Sequence, residues 1–254
     1  MDNLKIPKIE TKLQVKNEVN TDVAEMYLYG TIRQAYWWDS EDDCISANRV
    51  KNALLDLKGK DVNIHLNSGG GDVFQSIAIC NLIKQYEGKV NIIIDSLAAS
   101  GASVIAMAAN KIIMPKNAMI MIHKAWTLTD GNSDDLRKVA NDLDKMDSAV
   151  LASYKDRFIG DEEELKALIK ESSWFTAEEC KSLGFCDEIL DEKKEEEPPK
   201  GDIKNSILNK YMNKVNDPSG KKQIEHQKQQ EQEKKVLNKN KQAINNLLKA
   251  YVGN

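Results

Sequence analysis

The chain has 254 residues, a formal net charge of -4 and a hydrophobic share of 41%. That length accommodates one α/β domain with a buried core and something smaller beside it. No apolar run is long enough to cross a bilayer, which speaks against a membrane protein. The mild negative charge does not suggest a nucleic-acid partner.

The N-terminus, MDNLKIPKIETK, lacks the apolar stretch of a signal peptide, so the cytoplasm is the expected location. The polar residues 1–22 read as an arm or a short edge strand. From Ala24, AEMYLYGTI alternates like a strand and is followed by a loop rich in acids and aromatics, YWWDSEDDCI. Ser46 is placed to cap a helix that stops at Gly59. DVNIHLN is then a strand, Gly69, Gly70 and Gly71 form a turn, and Asp72 opens an apolar helix, VFQSIAICNLIKQY. The unit repeats as the strand KVNIIIDS (89–96), a tight turn and the small-residue helix in LAASGASVIAMAAN. KIIMP and AMIMIH are two more short strands. This alternation predicts an α/β fold of repeated units with largely parallel strands and right-handed crossovers.

A long amphipathic helix capped near Ser133 carries apolar residues at Leu136, Val139, Leu143, Met146, Val150, Leu151 and Tyr154. Two shorter helices, DEEELKALIKE and TAEECKSLG, and a closing strand from Phe185 to Leu190 complete a domain spanning 23–190. Residues 191–202, DEKKEEEPPKGD, read as a charged linker. Residues 203–254 are polar, with separated apolar clusters (Ile207, Leu208 and Tyr211 among them), which fits short helices or disorder better than a second core.

Three segments carry chemistry. LAASGAS sets Ser100 between a strand and a helix, where a nucleophile is exposed and nearby amides stabilise negative charge. The same small residues also serve as packing devices. NSGGGDVF (67–74) offers backbone donors for an oxyanion, or is simply a flexible turn. It is not a P-loop, having no Lys followed by Ser or Thr, and it lacks G-x-G-x-x-G. MIH ends at His123. Of three histidines, His65 lies mid-strand and reads as structural, and His226 lies in the polar tail. His123 is therefore the base by elimination if the chemistry is serine–histidine.

In order and spacing these segments resemble the Clp protease proteolytic subunit family over about residues 24–190. NSGGGDV is similar to its Asn-Ser-Pro-Gly-Gly segment, with Gly69 for the proline. LAASGAS, MIHKAW and WFTAEECKSLGFCDEIL are similar to its nucleophile turn, base motif and closing helix and strand. IIMPKNAMIMIHKAW and GNSDDLRKVANDLDKM are in the style of the phage branch of prohead and head-maturation proteases. The resemblance implies a Clp-protease/crotonase-like fold of repeated ββα units, with the helix from Ser133 to Tyr154 as the handle joining two rings. It implies Ser100 as nucleophile, His123 as base and the amides of Gly71 and Gly101 as the oxyanion hole. It also implies a protein or peptide substrate bound as an added strand, and a homo-oligomer of heptameric rings.

Two departures stand out. The family's acid lies three residues before the Phe-Thr-Ala step, where this chain has Ser172. Glu171 is adjacent and has the chemistry, whereas Ser172 has the position. The polar arm also does not match the loop with which housekeeping members engage a Clp ATPase. The four cysteines, Cys44, Cys80, Cys180 and Cys186, lack metal-site spacing and read as reduced, buried thiols. Trp37, Trp38 and Trp126 read as core or interface packing, and Trp174 as a staple for the following helix. Asp39, Glu41, Asp42 and Asp43 read as an acidic surface loop, not a calcium loop. No cofactor or metal is expected.

The expected function is a serine endopeptidase of phage or prophage capsid maturation, acting on capsid or scaffold protein. The alternatives are an ATP-dependent degradation subunit working with a Clp ATPase, a crotonase-like acyl-CoA enzyme, and a non-catalytic ring-forming assembly protein. A Ser–His pair argues against the acyl-CoA enzyme, and the missing acid keeps the assembly protein open.

Overall fold

The structure, a computed structural model, describes residues 9–18, 21–40, 43–190 and 200–215. Glu41, Asp42, His226, most of the linker and the tail beyond Val215 lie outside the described residues.

The central sheet has the order β1-β2-β3-β4-β5-β8. Its members are β1 (Lys12–Lys16), β2 (Val23–Ile32), β3 (Asp61–Gly71), β4 (Val90–Ala99), β5 (Lys111–Pro115) and β8 (Glu188–Leu190). β1 runs antiparallel along β2 as an edge strand, and the other pairings in this order are parallel. Parallel neighbours need crossovers. These are supplied by α1 (Ala47–Asp56), α2 (Val73–Lys84) and α3 (Gly101–Ala106). Ser46 accepts from the Arg49 amide and Asp72 from the Gln75 amide, so both sequence-predicted caps form.

The apolar alternation of β2 and β3 puts Met26, Leu28, Ile64 and Leu66 fully inside. The same alternation turns Glu25, Tyr27, His65 and Asn63 to the other, part-exposed face. There His65 Nδ1 lies 2.9 Å from both carboxylate oxygens of Asp95 and its ring stacks on Tyr27 at 4.7 Å. His65 thus has a structural setting in the sheet.

Three features differ from the sequence reading. First, Gly69, Gly70 and Gly71 continue β3 instead of leaving it, because Thr31 and Ile32 of β2 pair with Gly70 and Gly71. Second, β7 (Trp174–Thr176) is a short strand antiparallel to β6 (Met119–Met121), so Trp174 belongs to a strand and not to a helix staple. Third, Trp37 is 91% and Trp38 63% exposed, and Trp126 is also exposed, so none of them is core. Trp38 stacks on Tyr36, and the loop is held by Arg33, which pairs with Asp39. That pairing holds the Asp39 carboxyl at about 2.

The long helix α4 (Ser133–Lys155) is capped by Asn132, one residue before the expected cap, in a reciprocal capping box with Asp135. Only its end is buried, through Val150 and Tyr154. α5 (Glu162–Lys170) and α6 (Ala177–Leu183) follow, the latter closed by left-handed Gly184. Beyond the expected domain end at 190 comes α7 (Lys200–Val215). Ile207, Leu208 and Tyr211 of α7 are buried in the same core as the sheet. All four cysteines are free and buried, and burial raises Cys186 to about 11.

Candidate active site

The site is a product of strand register. β4 pairs with β5 along its first half, then with β6 along its last residues, Ala99 facing Met121. Ser100 follows Ala99 directly and His123 is two residues past Met121. The Ser100 amide still donates to the Met121 carbonyl at 2.9 Å. Adjacent strands lie about 4.8 Å apart, so the two side chains emerge as neighbours at one end of the sheet. His123 Nε2 lies 2.7 Å from Ser100 Oγ. For the hydroxyl to donate, Nε2 must accept, which puts the imidazole proton on Nδ1.

Ser100 is held at φ 55, ψ -125, one of three non-glycine residues with positive φ among the described residues. Such a conformation is sterically costly and persists only where surrounding structure enforces it. Here the enforcement is a hydroxyl network beneath the turn. Ser103 Oγ lies 2.6 Å from the Ser100 carbonyl, 3.0 Å from the Met121 carbonyl and 2.8 Å from the Tyr154 hydroxyl. Ser103 and Tyr154 are both buried. The turn of the hydroxyl and the strand of the imidazole are thus tied to each other and to α4.

Gly71 has φ 149, and a Cβ there would meet the Ile32 carbonyl oxygen at 1.9 Å. Only glycine fits this position. A Cβ on Gly101 would lie 3.6 Å from the Gly71 nitrogen, so the amides at 71 and 101 border one space beside Ser100. Gly101 opens α3, so its amide has no acceptor within the helix.

These groups line a cleft of about 470 Å³ whose apolar wall includes Val104, Val139, Leu143 and Met146. Burial lowers the pKa of His123 below the ordinary 6.5, opposed by the negative charge of Asp147. A half-buried imidazole on a serine hydroxyl, beside the amides of Gly71 and Gly101, is a nucleophile–base pair with an anion-stabilising pocket.

Gly71, the adjacent pair Ser100 and Gly101, and His123, from three separate segments of the chain, therefore converge. Ser172 and Glu171 do not join them, which corrects the expectation of an acid from that segment. Glu171 is the C-terminal cap of α5, and Ser172 follows it as an exposed residue in a left-handed turn, its amide bonded back to Ile169. Neither hydrogen-bonds to the imidazole, whose side-chain partner among the described residues is Ser100. Sequence reasoning did not single out Ser103 or Asp147, and it used Tyr154 only as an apolar helix position. A serine and a tyrosine 51 residues apart, bonded in the core, leave no local pattern.

Comparison with known proteins decides the lineage. The profile of the Clp protease family matches residues 17–193. The chain belongs to the Clp protease family. It is 29% identical over 154 residues to the ATP-dependent Clp protease proteolytic subunit of Bacteroides thetaiotaomicron, covering 58% of this chain and 70% of that one. It is 31% identical over 150 residues to ATP-dependent Clp protease proteolytic subunit 2 of Bacillus licheniformis, covering 57% and 79%. With the Porphyromonas gingivalis subunit it shares 26% over 186 residues, covering 68% and 82%. The chain is accordingly a Clp-type serine peptidase with the mixed α/β fold of that family. α7 lies beyond the matched residues.

Proposed function

We propose that this chain is an endopeptidase in which Ser100 is the nucleophile and His123 the general base. The observation that carries the reading is the 2.7 Å contact between Ser100 Oγ and His123 Nε2 at the end of β4 and β6. The hydroxyl oxygen bonds to the scissile carbonyl carbon as its proton passes to Nε2. The carbonyl oxygen becomes an oxyanion held by the amides of Gly71 and Gly101. Collapse of that intermediate expels the amine, which takes the proton from the imidazolium, and leaves an acyl-serine. Water, deprotonated by the same imidazole, then releases the acid and restores Ser100.

The substrate is an extended peptide. Residues 124–132 form neither helix nor strand beside the cleft, and together with the end of β3 they suit pairing with an added strand. The apolar wall of Val104, Val139, Leu143 and Met146 suits an apolar side chain next to the scissile bond. The largely exposed first half of α4 suits contact between copies of this chain in a ring assembly.

Two settings for this activity differ in partner. The names of the relatives favour a proteolytic subunit supplied by an ATP-driven Clp unfoldase. The phage-branch style of residues 112–126 favours capsid maturation, with capsid or scaffold protein as substrate. Stimulation of folded-substrate cleavage by a Clp ATPase separates them. The chemistry itself is tested by fluorophosphonate labelling. The wild type is expected to form a Ser100 adduct, and Ser100→Ala and His123→Ala none. Equal labelling of His123→Ala would remove the base from this account, and an unlabelled wild type would leave a non-catalytic assembly protein.

A further inference from the structure

The imidazole has lost its expected acid, and one carboxylate lies where it can serve. Asp147, on α4, is buried enough that its side chain is only 14% exposed. Its Oδ1 accepts the Ala125 amide at 2.7 Å, and its Oδ2 lies 2.7 Å from Lys124 Nζ. Both partners belong to the two residues directly after His123. The carboxylate therefore fixes the segment that carries the base to the helix that carries Tyr154.

We infer that Asp147 is the positioning acid of this enzyme, replacing from α4 the orienting carboxylate that position 172 does not supply. The inference rests on the Ser100–His123 reading.

Other charged groups near the cleft are poorer candidates. Asp72 caps α2 through the Gln75 amide, and Asp142 pairs with Lys145 on its own helix. Lys124 is the cation beside the base and is itself held by Asp147, and at 3.5 Å by the more exposed Asp144. Among these charges it is that of Asp147 that acts on the imidazole, favouring its protonated form. During reaction the imidazole becomes imidazolium, and a fixed negative charge nearby stabilises it without itself taking the proton. Because Asp147 meets His123 through the backbone at Ala125 and through space, not by a hydrogen bond to Nδ1, it supplies less than a direct triad acid. The chain is therefore a slower enzyme than one whose imidazole is bonded directly by a carboxylate.

The test compares Asp147→Asn with Asp144→Asn in the full chain. The two substitutions remove the same charge from one helix, less than a turn apart. The amide oxygen of the introduced asparagine still accepts from Ala125, so the fold is kept. Asp147→Asn is expected to lower kcat/KM about tenfold or more and to move the acid limb of its pH profile to lower pH. Loss of a nearby negative charge destabilises the imidazolium, hence the direction. Asp144→Asn is expected to stay within about twofold, as exposed charges do. The inference is overturned if both variants behave alike, or if Asp147→Asn loses activity with its acid limb unmoved, since a purely structural contact would do the latter. A wild type without turnover or label would instead sink the Ser100–His123 reading itself.

Discussion

Gly70 sits where the backbone of the glycine run touches the nucleophile turn. A Cβ there would lie 2.5 Å from the Ala99 carbonyl oxygen, 2.7 Å from the Gly101 nitrogen and 2.8 Å from Ser100 Cβ. Each neighbour is fixed, two of them backbone, so relief must come from moving the turn. Its φ of 87 adds strain for any residue with a side chain. Gly70→Ala is expected to cost about 1–3 kcal/mol in a denaturant titration. The cost to activity is larger, on the order of 100-fold in kcat, because a shift of about 1 Å between reacting groups is worth that much. A variant that lost stability and kept its rate would show that the turn relaxes without displacing Ser100. His123 gives the second residue-scale prediction. A base must be neutral, and burial lowers its pKa below 6.5. The acid limb of kcat/KM for the wild type is therefore expected below pH 6.5, read by hydrolysis of a peptide across that range.

At the scale of elements, the site depends on α4 as well as on the short helix that follows Ser100. α3 has six residues, and its Ser103, which bonds the Ser100 carbonyl, is itself tied to α4. The Tyr154 hydroxyl reaches it through Ser103. Burial keeps the phenol protonated, and because the one Ser103 proton faces two carbonyls, the phenol is free to donate to Ser103 Oγ. Tyr154→Phe keeps the ring against Phe185 and removes only that hydrogen bond. An expected loss of about 1–2 kcal/mol in stability, with a several-fold fall in kcat, checks the network. An unchanged rate would mean that the Ser100 and Met121 carbonyls suffice to orient Ser103. This is also where the sequence was and was not legible. The caps Ser46 and Asp72, the strand–helix alternation and the motifs around Ser100 and His123 were readable because they are local. β7 was not, because three residues form a strand only when β6 supplies partners. The run of β3 into Gly71 was hidden because glycine has little strand propensity and is held there by Ile32. The role of Asp147 was hidden because it depends on how α4 lies against residues 124–125.

For the molecule as a whole, the segment past 190 changes what the core contains. Ile207, Leu208 and Tyr211 follow i, i+1, i+4 spacing, one face of a helix, which a polar composition disguised as a tail. Tyr211 donates its hydroxyl to the Trp174 carbonyl at 3.2 Å, and its ring meets Phe175 at 6.0 Å. Trp174 and Phe175 belong to β7, where they pair with Met121 and Ile120 of β6, and β6 leads straight to His123. α7 thus braces, through one intervening strand, the element that carries the base. The family match ends at residue 193, so this brace lies outside the matched residues. Tyr211→Ala removes a buried aromatic and is expected to cost about 3 kcal/mol, as such truncations do. Asn209→Ala, on the exposed side of the same helix, is expected to change stability by less than about 0.5 kcal/mol. Thermal unfolding of the two variants measures the difference. Labelling of Ser100 in the Tyr211→Ala variant then asks whether the brace reaches the chemistry. Slower labelling at a temperature where the variant remains folded is the expected result. Equal unfolding midpoints for the two variants would mean that α7 lies on the domain without supporting it.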